Sequence, residues 1–221
     1  MKKLLATCAL CLCFTSTSQA ATLGFELGAN LWNTNNTIGQ KNTPDTKTKS
    51  DYAASVYGVF EHPILFLPNV RAEYLRNEND VRSNKNKSDT SYADITLYYQ
   101  VLDNWVNLDL GVSARKMDAE YKIANNVTAG DSNTLGALYA KLQFDLPVTG
   151  LSVGAAAQND AGLNGNRSIQ DYSAYVQYKI AIGFGIGAGY RLQDYTLKYN
   201  HNIGEFDHKI KGAYLNAFWQ F

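Results

Sequence analysis

The stretch Lys209-Ile210-Lys211-Gly212-Ala213-Tyr214-Leu215-Asn216-Ala217-Phe218-Trp219-Gln220-Phe221 decides the fold. Its odd positions Ala213, Leu215, Ala217, Trp219 and Phe221 are apolar. Its even positions carry Gly212, Tyr214, Asn216 and Gln220, with Phe218 the exception. Apolar residues at period two set one face of an extended strand against an apolar phase and the other against a polar or mixed one.

Working back from this strand, the same alternation recurs. It is clearest at 91–101 and 106–116, where Ile95, Leu97, Tyr99, Leu108, Leu110 and Val112 share one face. Tyr92, Asp94, Thr96, Tyr98, Asp109, Ser113 and Arg115 share the other. Further strands are predicted at 22–32, 52–62, 70–76, 134–146, 151–159, 169–180 and 184–197, giving ten, with eight as the alternative count. The links alternate in length. The polar stretches 33–51, 77–90, 117–133, 160–168 and 198–206 read as loops. Short turns are expected at 63–69, 102–105, 147–150 and 181–183.

Composition limits what such strands build. The 15 Tyr and 17 Gly stand against 4 Pro, which suits strands that meet a membrane–water boundary. Beyond the first residues no apolar stretch reaches the ~18 residues of a membrane helix. A chain of this kind enters a membrane only as a closed barrel, because closure alone pairs every backbone group in hydrocarbon. The prediction is an all-β fold: a transmembrane antiparallel up-and-down β-barrel with long extracellular loops, short periplasmic turns and a polar inner face.

Residues 1–20 read as a cleaved Sec signal peptide. Lys2 and Lys3 precede an apolar run, and Ser18 and Ala20 are the small residues before a cut ahead of Ala21. The barrel domain is then 21–221. All three cysteines lie in the leader, so no disulfide is expected in the mature chain. Loss of Lys2 and Lys3 leaves 18 Lys and Arg against 20 Asp and Glu, a net charge of −2 that argues against nucleic acid as a partner.

The terminal strand, with its final aromatic residue, resembles the last strand of bacterial outer-membrane barrels. That resemblance implies that Tyr214, Trp219 and Phe221 form a signal read by the barrel-assembly machinery. Other stretches extend the likeness: Leu23-Gly24-Phe25-Glu26-Leu27-Gly28, Glu61-His62-Pro63, Leu67-Pro68-Asn69-Val70-Arg71, Val101-Leu102-Asp103-Asn104-Trp105-Val106 and Phe144-Asp145-Leu146-Pro147. Together they resemble a family of small outer-membrane β-barrel proteins of gammaproteobacteria. The resemblance implies a fold and a location in the Gram-negative outer membrane, and no activity.

The inward positions collect charge. The acids are Glu26, Glu61, Glu73, Asp94, Asp109, Asp145 and Asp171; the bases are Arg71, Arg115, Lys141, Lys179 and Arg191. Eight strands leave room mostly for side chains, and aqueous channels come at about 16. The first reading is therefore a paired plug of ion pairs and Tyr hydroxyls in a non-catalytic structural or surface-interaction protein. A narrow path for ions or small solutes is the alternative, and pairing across the lumen decides between them. Gly185, Gly187 and Gly189 form an inward strip that Tyr175 and Tyr214 are expected to cover.

A rim hydrolase is a third reading, from His201 and His208 near Asp194, Glu205 and Asp207. Ser and His do not converge on one strand end, and no Cys or His set points to a metal, so neither cofactor nor metal is expected. Arg76, Lys116, Lys122, Lys198, Lys209 and Lys211 are candidates for contact with lipopolysaccharide phosphates. Lipid, lipopolysaccharide and the assembly machinery are the expected partners of a monomer.

Overall fold

The structure, a computed structural model, describes residues 23–40, 46–47, 51–81, 86–123, 127–165, 167–199 and 204–221. The leader 1–20 lies outside them. Ten long strands form one antiparallel sheet: β1 (Gly24–Gln40), β2 (Asp51–Glu61), β3 (Asn69–Val81), β4 (Asn86–Asp103), β5 (Val106–Ile123), β6 (Val127–Leu146), β7 (Leu151–Asp160), β8 (Ser168–Ala181), β9 (Phe184–Tyr199) and β10 (Gly204–Gln220). Each pairs with the next, and β10 pairs back onto β1, with Leu27 opposite Trp219 and Asn30 opposite Asn216. The short piece Thr46–Lys47 also pairs with β1, at Ile38 and Thr37. This is an all-β, ten-stranded, closed antiparallel barrel, not the eight-stranded alternative.

The seam is well tied. Phe25 and Phe221 exchange two backbone hydrogen bonds of 2.9 Å, and their rings pack with centroids 5.0 Å apart. Closure pairs each strand on both sides through the apolar band, while on the loop side β6 runs on past its ladder with β7, which ends at Ala137 opposite Asp160. The tightest hairpin, between β8 and β9, is Ile182-Gly183. Both residues have positive φ (53° and 79°), the geometry of a type I′ turn. A Cβ on Gly183 would also collide with the Gln220 carbonyl.

The strands run past the boundaries expected from the sequence. β1 continues to Gln40, β3 to Val81, β5 to Ile123 and β9 to Tyr199, while β4 begins at Asn86, β6 at Val127 and β10 at Gly204. Much of 33–51, 77–90, 117–133 and 198–206 is therefore strand, not loop. The ladder is continuous there: Asp80 opposes Lys87, and Glu120 opposes Gly130. Once both faces of a strand are polar, hydropathy no longer alternates although the backbone pairing does.

Outward residues form a broad apolar band. Ile95, Val112, Leu138 and Leu215 are each more than half exposed, on four different strands. Aromatic side chains flank it. Phe60, Tyr99, Phe144 and Trp219 lie near the short turns, and Tyr52, Tyr74, Tyr172 and Tyr190 toward the other end. Such an exterior, with polar and charged groups buried inside, reverses the arrangement of a water-soluble domain.

Candidate functional site

Among the described residues, charged side chains gather in numbers in the lumen, and the pleat determines which ones. Every second residue of each strand points inward. The inward positions of β3, β4, β5, β8 and β9 bring Arg71, Glu73, Asp94, Arg115, Asp171 and Arg191 to a similar height. They form one alternating chain of three bases and three acids. Arg71 Nη2 lies 3.2 Å from Glu73 Oε2, and Arg191 Nη1 lies 2.9 Å from Glu73 Oε1. Arg191 then grips Asp171 as a fork, Nε to Oδ1 at 2.9 Å and Nη2 to Oδ2 at 2.7 Å. Arg115 Nη1 is 2.9 Å from Asp171 Oδ2, and its Nε is 2.8 Å from Asp94 Oδ2.

This chain crosses the barrel. Glu73 is on β3 and Arg191 on β9, strands with no shared ladder. Arg115 spans from β5 to β8 and donates further to Tyr195 Oη and Gln158 Oε1, each at 2.5 Å. Its guanidinium lies 4.0 Å from the ring centre of Tyr92. Such buried charges are tolerable only because each is paired and hydrogen-bonded.

A layer of uncharged side chains lies immediately on the loop side. Trp32, Leu75, Tyr92, Met117, Leu135, Ile169, Tyr195 and Ile210 are almost fully buried in one cluster with Ala53 and Ala137. The link to the charge chain is direct. Leu75 follows Glu73 by two residues and Met117 follows Arg115, while Tyr92 precedes Asp94 and Ile169 precedes Asp171. Every strand but β7 contributes.

On the turn side the wall is lined by aromatic rings laid over glycines. Gly28 faces Tyr57, Gly111 faces Tyr98, Gly154 faces Tyr175, Gly185 faces Phe218 and Gly189 faces Tyr214 as direct cross-strand partners. A Cβ on Gly28, Gly154, Gly185 or Gly189 would run into the facing ring, and one on Gly111 into the Leu97 carbonyl and the Cα and Cβ of Tyr98. Of the β9 glycine strip Tyr214 covers Gly189 alone, and Gly187 meets Gln177 and the Val176 carbonyl. Tyr175 lies instead over Gly154 of β7, and Phe218, the break in the terminal alternation, packs inward over Gly185.

The remaining inward charges are dispersed. Lys141 pairs with Asp109 across neighbouring strands at 3.2 Å. Asp145 accepts hydrogen bonds from Asn107, Gln143 and Ser152. Glu61 accepts from Tyr98 and Gln100, and Glu26 from Gln220. Lys179 makes no ion pair among the described residues. Sequence reasoning missed Tyr92, Gln158, Gln193 and Tyr195 as partners of the chain, and Met117 and Ile210 in the apolar layer. Met117 was legible only as the continuation of the inward phase Ser113, Arg115.

On the rim, the structure separates the acid–histidine group. His208 points inward and is buried, whereas Asp194 pairs with Lys209 at 3.2 Å and Asp207 bonds to Thr196. His201 and the Glu205 side chain lie outside what is described, so the described part of this group brings no acid to His208. Arg76, Lys116, Lys209 and Lys211 point outward at or beyond the loop-side limit of the apolar band. The Lys122 and Lys198 side chains lie outside what is described.

No family model matches the chain, and no curated protein sequence matches it. Solved barrels are similar to it. Ail, the attachment invasion locus protein of Yersinia pestis, is 14% identical with a TM-score of 0.38, covering 89% of this chain and 98% of that one. Neisserial surface protein A is 13% identical with a TM-score of 0.41, covering 89% and 97%. The translocator domain of the autotransporter NalP from Neisseria meningitidis is 10% identical with a TM-score of 0.43, covering 89% and 88%.

Proposed function

We propose that this protein is an integral barrel of the Gram-negative outer membrane, exported with a cleaved leader, whose lumen is closed and whose role is structural or surface-interacting, not catalytic. One observation carries this reading: the charge chain from Arg71 to Asp94 crosses the lumen with every member paired, and a layer of uncharged side chains lies directly against it. An ion on that path must break buried pairs and then pass a packed, mostly apolar layer. The outward apolar band supports the membrane assignment, since a ten-stranded closed ladder exposes no backbone to lipid. Likeness to the gammaproteobacterial outer-membrane family is part of the same proposal.

The lipid partners follow from height. Lys116 and Lys211 stand on the outer wall two residues from Ala114 and Ala213, where the apolar band gives way to polar residues. Arg76 takes the same place beyond Tyr74. Lys and Arg at the edge of the apolar band suit the phosphates of lipopolysaccharide. Tyr214, Trp219 and Phe221 are proposed to serve recognition by the assembly machinery, with one closed chain acting as a monomer. Single-channel recording tests the closed lumen. A flat baseline agrees with it, and reproducible current steps overturn it in favour of a narrow pore.

A further inference from the structure

The charge chain and the apolar layer leave a cup on their turn side. Its volume is about 170 Å³, and its lining runs from Trp32 and Leu75 down to Glu26 and Gln220. A cavity of about 150 Å³ admits benzene, so the cup has room for a small organic solute. Its walls present tyrosine. Tyr98 and Tyr139 have ring centroids 6.0 Å apart. Tyr175 and Tyr214 each lie against a glycine with one face and leave the other toward the cup.

Of the charges left over from the ion-pair chain, the four that line the cup divide by side, while Asp109 and Asp145, on β5 and β6, lie outside its lining. Glu26 on β1 and Glu61 on β2 are held by neutral donors, Gln220 and Tyr57 for the first and Tyr98 and Gln100 for the second. Neither makes an ion pair among the described residues. Lys179 on β8 makes none there either, and Lys141 on β6, though paired with Asp109, keeps 30% of its side chain exposed. In the ring of ten strands β1 stands opposite β6, so these acids and bases flank the cup from opposing walls with aromatic surface between, and Arg71, already paired with Glu73, is the one base that lines the acid side.

We propose that this cup is a binding site for a small zwitterion with an apolar body, of the free amino acid kind. The solute enters from the turn end. Its ammonium group meets Glu26 and Glu61, its carboxylate meets Lys179 and Lys141, and its side chain lies on the tyrosine faces. A solute with one charge neutralises one wall and leaves the other uncompensated, so it binds more weakly. The site rests on the closed-lumen reading for its floor, and on the charges and tyrosines of its walls for its selectivity.

The test is calorimetric titration of the barrel refolded in uncharged detergent, with four probes: leucine, leucinamide, N-acetylleucine and N-acetylleucinamide. Leucine is expected to bind roughly tenfold or more tighter than any derivative. The double variant Glu26→Gln, Glu61→Gln is expected to bring leucine to the level of N-acetylleucine, and Lys179→Gln to lower it toward leucinamide. Four equal affinities, a preference for a singly charged probe, or no heat from any of them would overturn the proposal. Circular dichroism of each variant separates lost binding from lost fold. Because this readout involves no current, a barrel that conducts yet selects leucine loses only the closed-lumen reading, and a silent barrel that does not select loses only this one.

Discussion

Glu73 and Arg191 are 118 residues apart in the chain and meet across the lumen at 2.9 Å. The contact ties β3 to β9, which share no backbone ladder. It therefore braces the barrel in a direction that strand pairing does not. Each partner keeps a second counterion, Arg71 for Glu73 and Asp171 for Arg191, so removing one leaves a buried charge only partly paired. Glu73→Gln or Arg191→Gln should each cost about 1–3 kcal/mol of stability. The double variant should cost clearly less than the two together, because the couple is removed as a unit. Urea unfolding of the barrel in lipid vesicles measures the cycle, and additive losses would show that the two residues are not coupled.

Arg115 is the hub of the same chain. One planar guanidinium serves Asp94, Asp171, Tyr195 and Gln158, with the Tyr92 ring at its face. A lysine ammonium is a point charge and cannot reproduce that fork. Arg115→Lys should therefore fall nearer to Arg115→Ala than to the native protein in unfolding midpoint. Full rescue by lysine would mean that only charge matters at this position.

The glycine–tyrosine pairs make a steric prediction. At Gly28 an added Cβ meets the ring of Tyr57. Gly28→Ala should destabilise by about 1–3 kcal/mol, the usual cost of overpacking. Adding Tyr57→Ala should remove most of that penalty relative to Tyr57→Ala alone. An equal Gly28→Ala loss in both backgrounds, by the same unfolding measurement, would place the strain elsewhere.

The outer wall predicts a depth dependence. Leu110→Arg places a charge in the apolar band and should cost about 2–4 kcal/mol in a bilayer. Thr134→Arg, also outward but beyond the band, should cost about 0–1 kcal/mol. Equal effects in vesicles would contradict the position assigned to the membrane.

The barrel was readable from sequence because lipid enforces alternation wherever a strand crosses the apolar band. Ile95, Leu97 and Tyr99 face out, and Asp94, Thr96 and Tyr98 face in, as period two requires. Beyond the band that constraint lapses. Asn33 and Asn36 are both polar, yet one faces out and the other is buried, so nothing in hydropathy separates strand from loop. The charged inward residues were legible one by one. Their pairing was not, because Arg191 reaches Glu73 through the curvature and tilt of a closed sheet, and neither is written in a strand's own pattern. The apolar layer was hidden for a related reason. Met117 opens a stretch that its neighbours Lys116 and Asp118 make look like a solvated loop, and Ile210 breaks the terminal strand's phase by standing apolar between Lys209 and Lys211 on the mostly polar face.

Conductance decides the closed lumen most directly. Purified barrel is inserted into a planar bilayer in about 1 M potassium chloride, where screening weakens exposed charges far more than buried pairs. The native protein should give a flat baseline, and the double variant Glu73→Ala, Arg191→Ala should raise the frequency of current steps by opening the cross-lumen brace. Reproducible steps from the native protein that shrink in Arg71→Ala or Asp109→Ala would contradict the closed lumen and establish a conducting path lined by those charges.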